Sequence, residues 1–79
     1  MALQKNHWQI ECNHTPETID RVLLPIRKRG ISVSKLNYEQ KDAVNAVCTV
    51  EFEVDSTDVE RVYKNMLRLH DIQNVVRLS

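Results

Sequence analysis

Seventy-nine residues, 42% of them hydrophobic, suffice for one small domain that buries only about 60% of its unfolded surface, so residues 1–79 read as a single unit that a partner surface would reinforce. Eleven Lys and Arg balance eleven Asp and Glu, which removes the bulk electrostatic case for nucleic acid or an anionic membrane as ligand. The opening MALQKNHW has no basic segment leading into an apolar core and no run is long enough to span a bilayer, so a cytoplasmic setting is expected, with Cys12 and Cys48 as reduced core residues.

Trp8, Ile10 and Cys12 alternate with His7, Gln9 and Glu11, the period of a strand with one buried face. TPETIDRVLLPIRKRG then carries both ends of a helix. Thr15 can cap it, Pro16 suits its first position, Arg27 to Arg29 favour its last turn, and Gly30, the only glycine, suits a left-handed C-cap. Ile19, Val22, Leu23 and Ile26 form the apolar stripe of this helix. Pro25 lies inside it, where the lost hydrogen bond and the ring clash predict a kink near Leu24.

After Gly30, Ile31 and Val33 fall on one phase of a strand while Leu36 and Tyr38 fall on the other, which predicts a bulge near Ser34 and Lys35. Val44 to Val54 alternates throughout and is the strongest strand. Asp55 and Ser56 offer N-caps for a second helix with Val59, Val62, Tyr63, Met66 and Leu67 on one face. Past Asp71, Val76 and Leu78 share one face of a closing strand and Val75 and Arg77 the other. The order βαββαβ, with helices apolar on one side only, predicts an α+β, ferredoxin-like domain: a four-stranded antiparallel sheet with two helices on one face.

Asn13, His14 and Thr15 precede the first helix, where free N–H groups can hold a carboxylate; they also read as a plain turn and cap. Metal binding is not expected, because Cys12 and His14 have no matching close pair later in the chain. No Ser/His/Asp or Cys/His set falls on one surface, so no catalytic residue is expected. The outward positions His7, Gln9, Glu11, Val47, Thr49, Glu51 and Glu53 lack the rings and basic charge of an RNA-binding sheet. If the second strand lies at an edge, Ile31, Val33, Leu36 and Tyr38 need a partner, and pairing with a second copy is the economical solution.

TPETIDRVLLPIRKRGISVSKLNY resembles the first helix and second strand of ACT domains of the acetolactate synthase small subunit, in its short form. Pro16-Glu17-Thr18, Arg21-Val22, Lys28-Arg29-Gly30 and Leu36 carry the likeness, and MLRLHDIQNVVRL from Met66 to Leu78 resembles the closing helix and strand. The resemblance implies a non-catalytic regulatory subunit without a cofactor of its own. It would bind and activate a catalytic subunit carrying thiamine diphosphate, magnesium and FAD, in branched-chain amino-acid synthesis. It also implies a side-by-side homodimer joined through edge strands. A stand-alone ACT dimer that senses an amino acid without a catalytic partner is the alternative.

In valine-sensitive members of that family the effector is held by a loop asparagine and glycine and by an asparagine at the start of the second strand. His14, Glu17 and Ser32 stand at those positions here. A glutamate in place of glycine adds bulk and a charge that repels the effector's carboxylate, so valine feedback is expected to be weak or absent. Asn13, His14, Thr15, Glu17 and Ser32 form the resulting candidate effector set.

Overall fold

A computed structural model describes residues 3–78. The elements follow the order β1 (Leu3–Asn13), α1 (Thr18–Arg27), β2 (Val33–Gln40), β3 (Asn45–Asp55), α2 (Ser56–Leu67) and β4 (Ile72–Arg77). The sheet order is β2-β3-β1-β4, with every adjacent pair antiparallel, so β2 and β4 are the edges. This is the ferredoxin-like arrangement that the apolar pattern requires.

The period-two faces of the strands meet the apolar stripes of the helices in one core. Trp8, Ile10, Cys12, Cys48, Val50 and Phe52 are fully buried from the sheet, as are Val22, Ile26, Val62 and Met66 from the helices. Trp8 anchors the centre, edge-on to Phe52 at 4.9 Å and to Tyr63 at 5.8 Å between ring centroids. Arg77 closes the rim of that cluster, its guanidinium 4.0 Å from the Tyr63 ring centre and held by both carboxylate oxygens of Glu60. Both cysteines are free. Burial raises the Cys12 thiol, with the Asp71 charge adding to it, and pushes Cys48 up to about 11, so both stay protonated at neutral pH.

Several expectations need correction. α1 starts at Thr18 rather than Pro16, and Thr15 does not cap it: Glu17 holds the N-cap position with no side-chain bond. The cause is Thr18, whose buried hydroxyl draws the chain of residues 15–17 into a separate turn. The buried line of α1 is Thr18, Val22, Pro25 and Ile26, and Ile19 is 36% exposed at its margin. Leu67 at the end of α2 is also exposed, and Val44 lies outside β3 in the preceding turn, 64% exposed.

Pro25 does not end α1. The helix runs through to Arg27, and the Lys28 N–H still donates to the Leu24 carbonyl at 3.0 Å. Gly30 then stops the chain as expected. Its φ is +68°, and the bonds Gly30 N–H to Arg27 C=O and Ile31 N–H to Ile26 C=O form a Schellman closure. The expected bulge in β2 is present between Val33 and Lys35, and it turns Leu36 and Tyr38 back towards the core beside Ile31 and Val33. Asp55 caps α2 as expected, its carboxylate accepting from the Thr57 N–H at 3.0 Å.

Candidate functional site

At the C-terminal end of β1 the chain turns from the middle of the sheet into α1, and a chain of hydrogen bonds fixes the corner. The fully buried Thr18 hydroxyl donates to the Asn13 carbonyl at 2.7 Å and accepts from the Thr15 N–H at 3.1 Å. With its proton so used, it also takes the Thr15 hydroxyl, 2.7 Å away, as donor. The Asn13 N–H donates to the Asp71 carbonyl and the His14 N–H to the Val44 carbonyl, tying the corner to the start of β4 and to the β2–β3 turn.

Two side-chain pairs frame this corner. Arg21, one turn into α1, reaches the buried carboxylate of Asp71 fifty residues away. His14 Nδ1 lies 3.0 Å from the Tyr38 hydroxyl, which connects the β1–α1 loop to edge strand β2. Desolvation raises the Tyr38 phenol above its ordinary value, so it remains a neutral hydroxyl at physiological pH. Asn13 points its amide to the opposite, open side of the sheet, where Gln73 donates to it at 2.7 Å and to Asn45 at 2.8 Å. The corner therefore offers an imidazole, a phenol and an arginine around a helix start. The imidazole and the phenol bond to each other and the arginine to Asp71.

The expected effector set is only partly gathered within one chain. Asn13, His14, Thr15 and Glu17 lie together at the corner. Ser32 lies at the far end of the sheet, its carbonyl accepting from the Glu53 N–H, while Glu53 pairs with Lys5 near the start of β1. Lys5 and Asn13 are about 26 Å apart along an extended strand at roughly 3.3 Å per residue. Thr18, Tyr38, Arg21 and Asp71 escaped the sequence reading as members of the corner. Thr18 could have been found, since it begins the Thr18, Val22, Pro25, Ile26 spacing; Arg21 and Asp71 could not, because nothing local pairs them.

Among the described residues there is no group of three or more His, Cys, Asp or Glu side chains placed to hold a metal ion. No helix among them is long and apolar enough to cross a membrane. No family model and no curated protein sequence matches the chain. Solved structures do match it in shape. The crystal structure of the ACT domain from GTP pyrophosphokinase of Chlorobium tepidum superposes with a TM-score of 0.81 at 15% identity, covering 98% of this chain and all of that one. The chain has an ACT fold.

The acetolactate synthase small subunit from Thermotoga maritima shares the ACT fold at a TM-score of 0.78 and 15% identity, over 94% of this chain and 47% of that subunit. The regulatory subunit of aspartate kinase from Thermus thermophilus gives 0.65 at 16% identity, over 96% and 52%. The chain thus spans about half the length of each of these two subunits.

Proposed function

We propose that this ACT-fold chain is a regulatory subunit that binds and activates the catalytic subunit of acetolactate synthase in the cytoplasm, with weak or no valine feedback. What carries the reading is the use the fold makes of the residues that resemble the small subunit. Thr18 clasps the β1–α1 corner, Arg21 binds Asp71, and Gly30 closes α1 ahead of β2. The likeness in sequence therefore coincides with the segment that builds the corner, and a small-subunit structure covers 94% of the chain.

Pairing of two copies along β2 completes the reading. The Lys41 N–H donates to the Asn45 carbonyl, and alternation from that bond turns the N–H groups of Lys35, Asn37 and Glu39 towards β3. Leu36, Tyr38 and Gln40 then present free N–H and C=O groups at the edge. A two-fold pairing centred between Leu36 and Tyr38 brings Ser32 of the partner subunit opposite the 41–44 turn, to which His14 is bonded. The effector set divided within one chain is reunited between two. Glu17, at the helix start with no capping bond, places a carboxylate where a bound amino acid would place its own. Thiamine diphosphate, magnesium and FAD belong to the catalytic partner in this reading.

Acetolactate formation by the catalytic subunit, titrated with this protein with and without valine, tests the proposal. A saturable rise in rate that valine leaves unchanged is expected. An unchanged rate at every ratio contradicts it and leaves the stand-alone amino-acid sensor as the account.

A further inference from the structure

The balanced net charge conceals a separation of charge across the fold. The open face of the sheet and its turns hold Glu11, Glu39, Asp42, Glu51 and Glu53 against Lys5, Lys35 and Lys41. The helix layer has the opposite bias. Of its carboxylates, Asp58, Glu60 and Asp71 are taken by Arg29, Arg77 and Arg21, which leaves Glu17 and Asp20 at the start of α1. Arg27, Lys28, Arg61, Lys64 and Arg68 have no ion-pair partner among the described residues.

Part of this surplus borders a cleft. Between α1 and α2 lie two adjoining depressions of about 340 and 270 Å³ that share Pro25, Lys28 and Asn65. Leu24, 45% exposed, and Leu69 line the apolar part, and Lys28 and Arg68 stand beside them. Arg29 and Asp58 line the other part as an ion pair. Asp20 is about 12 Å from Lys28 along the axis at roughly 1.5 Å per residue, beyond a Debye length of about 8 Å in physiological salt.

We infer that the α1–α2 cleft is a docking site for an acidic, leucine-bearing segment of a partner protein, with Lys28 and Arg68 engaging its carboxylates and Leu24 and Leu69 its apolar side chains. Cations beside apolar side chains are the complement of an acidic segment that carries leucines. The inference rests on the regulatory reading only for the identity of that partner: in an acetolactate synthase complex, the segment belongs to the catalytic subunit.

The test follows the backbone amides of the full chain by NMR while a helical peptide is added, with leucines at i, i+3, i+4 and i+7 and glutamates elsewhere. A peptide with lysines for the glutamates and a single-stranded RNA homopolymer serve as comparisons. The glutamate peptide should shift the amides of Leu24 and of residues 26–29 and 65–69, and the K28E/R68E double variant should bind it about tenfold or more weakly. Equal binding by that variant, shifts confined to the sheet, no shifts, or tighter binding of the RNA each overturns the inference.

Activation assays separate this inference from the regulatory reading. If the wild-type chain activates the catalytic subunit and K28E/R68E does so at the same half-saturating concentration, the cleft is not the docking site and the regulatory reading stands. If the wild-type chain fails to activate, that reading falls, and the peptide experiment alone decides the cleft.

Discussion

Thr18 shows how one side chain can set a boundary that local propensity places elsewhere. Thr15 and Pro16 are good opening residues for a helix, yet the helix begins at Thr18 because its hydroxyl satisfies the Asn13 carbonyl and the Thr15 N–H together. Replacement by isosteric valine keeps the shape and leaves both backbone groups without that partner. Thr18→Val is expected to cost about 1–3 kcal/mol in chemical denaturation, with the native fold retained. A cost indistinguishable from zero would mean that water or a shifted loop serves those groups equally well.

Asp42 controls the neighbouring turn by charge. Its carboxylate accepts from the Asn45 side chain and from the N–H groups of Val44 and Asn45, which together hold it below its ordinary value of 3.8. A carboxyl lowered by folding stabilises above the unfolded value and loses that contribution as pH falls through the folded one. Protection of the Val44 and Asn45 amides from exchange should therefore be level near neutrality and decline below the usual aspartate range. Asp42→Asn should remove that dependence. Because His14 bonds to the Val44 carbonyl, the same turn steadies the candidate effector corner.

Among the elements, those defined by local pattern were legible and those defined by long-range pairing were not. The phase change between Val33 and Leu36 announced the β2 bulge, because a strand cannot bury both sets without an extra residue. Gly30 announced the end of α1, since few other residues adopt its positive φ. The corner itself was half legible. Asn13, His14 and Thr15 stood out as polar residues before a helix, while Asp71 and Tyr38 arrive from distant elements and leave no local trace.

The edge of β2 supports a direct test of self-pairing. Val33 packs against the core, so a charge there would disturb the monomer as well as an interface. Gln40 is the better position, because its side chain is exposed, the ladder turns its N–H away from β3 and a proline there keeps the bonds within the sheet. Gln40→Pro is expected to sediment as a single folded chain where the wild type sediments as a dimer. An unchanged sedimentation coefficient would place the interface elsewhere.

For the molecule as a whole, net charge was a poor guide to surface chemistry. Equal numbers of acids and bases argued against an electrostatic ligand, yet the fold sorts the unpaired charges, with carboxylates concentrated on the sheet and cations on the helices. That sorting is hard to read in the sequence, where acids and bases occur together within β1, α1, β2 and α2, although β3 carries acids alone. A domain of this size also gains from association, since its core is small and its edge strands are open.

Association with a catalytic partner is the central claim, and the mass of the assembled species tests it most directly. Sedimentation equilibrium of the protein alone and mixed with the acetolactate synthase catalytic subunit should give twice the 9.2 kDa chain mass alone and a discrete larger complex in the mixture. A mixture that sediments as two independent species, with this chain never exceeding its own dimer, would contradict the account.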